Sequence, residues 1–89
     1  GYSVMGFVKA LGNTEDLNSL TEPGIYAQAV NANASTDRHY PKAVAGYLEV
    51  MCNPSGYVLQ RYTAYDCNGL YIRYRYQGSW GSWKSVSLS

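Results

Sequence analysis

Eighty-nine residues, 46% of them hydrophobic, make a single domain (1–89) near the lower end of what one core can stabilise alone. A formal net charge of +1 argues against a partner held mainly through phosphates, which needs concentrated Lys and Arg, so nucleic acid is not favoured. The chain opens Gly-Tyr-Ser with no apolar signal core and no run long enough to cross a bilayer, and it reads as an excised soluble piece without membrane insertion.

Tyr2 to Val8 alternates Val4, Gly6 and Val8 with Met5 and Phe7, which suits a strand or an ordered lead-in. Thr14 is placed to cap a helical turn from Glu15 to Leu20, with Glu15 and Asp16 in its first turn, where the helix dipole favours carboxylates. Glu22-Pro23-Gly24 then turns the chain: Pro fixes φ and Gly accepts positive φ. Ile25 to Val30 alternates Tyr26, Gln28 and Val30 against Ile25, Ala27 and Ala29, a strand whose two faces differ little. The polar stretch Asn31 to Arg38 reads as a loop.

From Gly46 to Gln77 two turn signals cut the chain into three strands of similar length. Asn53-Pro54-Ser55-Gly56 closes the first hairpin and Asn68-Gly69 the second, as a primed turn. Pairing outward sets Cys52 opposite Tyr57, Val50 opposite Leu59, Tyr65 opposite Ile72 and Thr63 opposite Tyr74. One face then carries Leu48, Val50, Cys52, Tyr57, Leu59, Tyr65, Leu70, Ile72, Tyr74 and Tyr76, with Arg61 and Thr63 as polar exceptions, and is expected to be the core. The opposite face carries Tyr47, Glu49, Met51, Val58, Gln60, Tyr62, Ala64, Tyr71, Arg73 and Arg75, facing solvent or a partner. The expected fold is mainly β: a small antiparallel meander with one short N-terminal helical turn.

Ten Tyr against one Phe suits thin, half-exposed sheet, since the ring is apolar and the hydroxyl wet. Cys52 and Cys67 fall at opposite ends of the middle strand, on the order of 30 Å apart at about 3.3 Å per residue, too far to bridge. Two distant thiols and the single histidine, His39, make no zinc site, and no metal or cofactor is expected. Catalysis requires convergent groups, and neither a Cys-His pair nor a carboxylate pair is indicated.

Two surfaces remain as weak candidates for ligand contact. An exposed cluster of Tyr62, Tyr71, Arg73 and Arg75 could stack pyranose rings and bond their hydroxyls; bases of single-stranded nucleic acid are the alternative ligand. Asp37, Arg38, His39 and Tyr40 would be the contacts if the polar loop from Asn31 to Lys42 touches a receptor, because loops on a rigid sheet often carry recognition. In both places a solubilising surface is the plainer reading.

The segments Asp16-Leu-Asn-Ser-Leu-Thr-Glu-Pro-Gly-Ile-Tyr26 and Gly78-Ser-Trp-Gly-Ser-Trp-Lys84 together resemble the pyocin knob family of bacteriophage tail fibres and phage-tail-like bacteriocins. The resemblance runs from about Asp16 to Val86, leaving 1–15 as a lead-in. It implies that Trp80 and Trp83 close the fold. It further implies a noncatalytic module in a trimeric virion fibre, acting outside the host cell, that supports or makes contact with a bacterial surface polysaccharide. A purely architectural spacer is the alternative.

Overall fold

The computed structural model describes residues 8–87, so the expected strand from Tyr2 lies outside the described residues except for Val8. Seven strands form one sheet: β1 (Val8–Ala10), β2 (Gly24–Gln28), β3 (Gly46–Cys52), β4 (Val58–Ala64), β5 (Leu70–Tyr76), β6 (Ser79–Trp80) and β7 (Lys84–Ser85). Strands β1 to β6 lie side by side in chain order, and β7 also pairs with β5. The sheet is mixed, because β1 runs parallel to β2 while the other pairings are antiparallel.

The single helical turn is replaced by three 3-10 turns, Leu17–Ser19, Asn31–Asn33 and Thr36–Arg38. Asp16, not Thr14, caps the first, its carboxylate accepting from the Asn18 N–H at 2.8 Å. Ser35 caps the third, which ends on His39 in the left-handed region at φ 69°. The polar stretch is therefore folded back on itself rather than open.

The expected faces hold for β3 and are inverted for β4 and β5. Asn53 N–H donates to the Tyr57 carbonyl and Gly56 N–H to the Asn53 carbonyl, both at 3.1 Å, with Gly56 at φ 87°. This is a type I turn followed by a left-handed residue, a three-residue loop instead of four. An odd loop slides the register by one, so Cys52 meets Val58 and Val50 meets Gln60, and every side chain of β4 changes face. The second loop spans Tyr65 to Asn68, with Cys67 at φ 63°, and sets Thr63 opposite Leu70. It is longer than expected by an even number, so β5 stays in phase with β4 and inherits the inversion. The primed turn falls one hairpin later, at Gln77 and Gly78, whose φ values are 54° and 82°.

Leu48, Val50, Tyr26, Val58 and Tyr62 consequently form the core with Leu17, Ala34 and Tyr40. Leu59, Tyr57, Tyr74 and Tyr76, expected inside, are exposed, as is Cys52. Strand β3 begins at a glycine because a Cβ on Gly46 would run into the Thr63 carbonyl.

One charged side chain lies deep in this core. Arg73 is 4% exposed, with its guanidinium stacked 4.0 Å from the Trp80 ring centre and 4.6 Å from that of Trp83. Its Nε–H donates to Gln60 Oε1 at 2.8 Å. The Gln60 amide in turn donates to the carbonyls of Leu17 (2.7 Å) and Leu20 (3.0 Å). Trp80 Nε1–H donates to Asn18 O at 3.2 Å and Trp83 Nε1–H to His39 O at 2.7 Å. Burial lowers the Arg73 guanidinium to about 10, partly offset by the Asp16 charge, so it remains a cation at neutral pH.

Arg73→Ala removes both ring contacts and leaves Gln60 Oε1 buried without a donor; urea unfolding should show a loss of about 3–5 kcal/mol. Burial acts to raise the Asp16 carboxyl, but the Asn18 bond, His39 and Arg73 outweigh it and hold the group below 3.8. A depressed carboxyl stabilises the fold above its unfolded value and loses that contribution as pH falls through the folded one. Asp16→Asn keeps a capping oxygen and removes the charge. Its melting temperature should lie below wild type at neutral pH, with the gap closing below 3.8.

Candidate functional site

The inversion of β4 and β5 decides what the expected contact residues can do. Tyr62 is fully buried at 0% exposure, its hydroxyl donating to the Val44 carbonyl at 2.6 Å. Tyr40, at 2% exposure, packs edge-on against it with ring centres 5.6 Å apart and accepts from the Gln28 amide at 3.1 Å. Burial pushes both phenols above their ordinary range, Tyr62 the further. The expected exposure of Tyr62, Tyr71 and Arg73 is thus corrected: Tyr71 is half-buried against the core and Arg73 sits between the tryptophans. Replacing Tyr71 and Arg73 together by Ala would damage the fold rather than leave it intact.

The loop residues are drawn to that same inner face. Arg38 is half-buried and donates to Asn33 O at 2.9 Å, which braces the loop. His39 is exposed, and its Nδ1–H donates to Asp16 Oδ1 at 2.7 Å. Arg75, half-buried, stands opposite Trp80 in the β5–β6 register. Tyr40, Tyr62, Tyr71 and Arg73 belong to the core and its lining, while Arg38, His39 and Arg75 still reach solvent and are not gathered with them.

A different concavity opens at the end of the sheet where β2 leaves and β3 enters. Residues 27–31, 45–47 and Tyr65 enclose a groove of about 490 Å³, within the range of small-ligand sites. Tyr47 and Tyr65, 53% and 60% exposed, stand over it. Asn31 lines it as well, its side-chain oxygen accepting from the Ala45 N–H at 2.8 Å. Sequence reasoning missed this groove because Tyr65 was assigned to a buried strand. The signal that would have found it is the Asp66-Cys67-Asn68 cluster, polar enough for a four-residue loop that carries Tyr65 out to the end of the sheet.

The outer face carries a second aromatic group. Tyr57 stacks on Tyr74 with ring centres 5.5 Å apart and lies 4.9 Å from Tyr76. Beside it Met51, Cys52, Asn53, Tyr57 and Leu59 surround a hollow of about 270 Å³. Among the described residues no group of three or more His, Cys, Asp or Glu could hold a metal ion, and no helix is long and apolar enough to cross a membrane.

No protein-family model and no curated protein matches the chain. Solved structures do. The N-truncated R2-type pyocin tail fibre superposes with a TM-score of 0.85 at 28% identity, over 99% of this chain and 35% of that one. A C-terminal fragment of the R2 pyocin fibre of P. aeruginosa gives 0.85 and 28% over 99% of this chain and 24% of that one. A corresponding fragment of the P. aeruginosa R1 pyocin fibre gives 0.81 and 26% over 98% and 23%. The chain therefore spans about a third or less of the fibre structures it matches. With near-complete coverage in fold, this chain is a structural homologue of the pyocin tail-fibre knob domains.

Proposed function

We propose that the chain is a noncatalytic knob module of a phage tail fibre or phage-tail-like bacteriocin fibre, carried outside the host cell in three copies around the fibre axis. The observation that carries this reading is the match to pyocin fibres, TM-score 0.85 over 99% of the chain. The module supports host recognition and contributes contacts to bacterial surface polysaccharide.

For those contacts the groove beneath Tyr47 and Tyr65 is the best-placed surface. Exposed tyrosine rings offer flat apolar faces to a pyranose, while the Asn31 side chain offers a polar partner. Arg38, His39 and Arg75 remain as accessible secondary contacts, whereas Tyr62, Tyr71, Arg73 and Tyr40 hold the frame. Withdrawal of Tyr62 and Arg73 into the core takes away the ladder on which a single-stranded nucleic acid would stack.

A parent fibre carrying Tyr47→Ala with Tyr65→Ala should keep its fold and adsorb to host cells about tenfold less tightly, equivalent to about 1.4 kcal/mol. Unchanged adsorption, together with a glycan array on which this chain binds nothing, would leave the module as an architectural spacer.

A further inference from the structure

The chain holds one histidine, and its backbone is fastened on both sides. His39 closes the Thr36–Arg38 turn in the left-handed region at φ 69°, its N–H donating to the Thr36 carbonyl at 3.0 Å. Its own carbonyl accepts the Trp83 indole N–H at 2.7 Å. So held, the half-exposed imidazole sets Nδ1 2.7 Å from Asp16 Oδ1, the same oxygen that accepts the Asn18 N–H. A carboxylate can only accept, so Nδ1 carries a proton in this contact and Nε2 is the nitrogen left to titrate. Taking up that second proton needs no rearrangement: a neutral hydrogen bond becomes a charged pair in place.

We propose that the Asp16–His39 contact is a pH-responsive latch, which ties the Thr36–Arg38 turn to the Leu17–Ser19 turn more firmly as the medium passes from neutral to mildly acidic. It stands on this geometry and not on the fibre reading. Both ends reach the buried cation: Asp16 feels the charge of Arg73, and His39 holds the Trp83 ring on which that guanidinium is stacked. The other charged groups nearby are engaged or set apart. Asp37 and Arg38 share the turn of His39, with Arg38 donating to Asn33 O at 2.9 Å. Glu15, beside Asp16, accepts from the Gly12 N–H at 2.8 Å, and Lys84, beside Trp83, lies in β7 opposite Ile72. A histidine that gains an anionic partner on folding stabilises the fold where it is protonated, and that contribution is lost as pH rises. The lower limit of the window is the Asp16 carboxyl, which lies below 3.8 although burial acts to raise it.

Urea unfolding of this chain at roughly pH 8 and roughly pH 5.5 tests the latch, because histidine is the side chain whose charge ordinarily changes across that interval. Asp16→Asn keeps a capping oxygen and removes the anion. The ratio of its unfolding constant to that of wild type should grow by about threefold on going from the higher pH to the lower, the size of a half-exposed ion pair. In a His39→Asn background, where Asn tolerates the left-handed backbone, the same Asp16→Asn change should give one ratio at both pH values. Should His39→Asn fail to fold, the comparison of Asp16→Asn with wild type decides alone, since the chain has no second histidine. A ratio that stays constant or shrinks as pH falls, or one that grows equally without His39, overturns the latch and leaves the contact a fixed structural brace.

Discussion

A guanidinium held between two indole rings organises this protein. Arg73 comes from the centre of β5, Trp80 from β6 and Trp83 from the segment leading into β7, and the cation fills the gap between them at 4.0 and 4.6 Å. Burying a charge is costly unless it is bonded and its surroundings are polarisable. Here Gln60 supplies the hydrogen bond and the ring faces supply the negative potential. Gln60 then commits its amide to the Leu20 carbonyl and to that of Leu17, which also accepts from the Leu20 N–H inside the 3-10 turn. One chain of contacts thus links the C-terminal segment, the middle of the sheet and the N-terminal turn. A domain of this size has little apolar core to spare, so a polar clamp that joins both ends has a large share of the work.

The same clamp explains why the two segments that resemble knob domains occur together. Asp16 to Tyr26 and Gly78 to Lys84 are far apart in the chain, yet Trp80 donates to Asn18 and Arg73 lies among Gln60, Trp80 and Trp83 directly above the Leu17 turn. They are two halves of one structural site. Their joint presence is therefore diagnostic of the fold and silent about the ligand. The surfaces left over, the groove under Tyr47 and Tyr65 and the bare outer face, belong to parts of the chain that the resemblance does not single out.

Much of the architecture was legible because turn chemistry punctuates the sequence: Pro23-Gly24, Asn53 to Gly56 and Asn68-Gly69 mark strand ends correctly to within a residue or two. The placement of faces was not, because parity depends on whether Asn53 belongs to the loop or to its closing pair. The hydrogen bond from Asn53 N–H to Tyr57 O, together with the left-handed Gly56, settles that point in favour of pairing. Periodicity could not correct the slip, since tyrosines occupy both faces of β5 and the inner face holds Gln60 and Arg73 where apolar residues are expected. A buried polar pair such as Arg73 Nε–H on Gln60 Oε1 looks like solvent exposure in a one-dimensional pattern. The site residues Tyr62, Tyr71 and Arg73 were misplaced for this single reason; Tyr40 was misplaced because the polar loop folds back and packs its ring on Tyr62, while β1, running parallel to β2, had no signature beyond three residues.

The tryptophan–arginine clamp opens only when the whole domain unfolds. Native-state hydrogen exchange of the Trp80 and Trp83 indole N–H groups measures this directly, alongside the amides at the centre of β4. Matching opening free energies for the two indoles and for the Gln60 and Tyr62 amides are predicted. Indole protons that exchange through a low-energy local opening, while those amides stay protected, would contradict it.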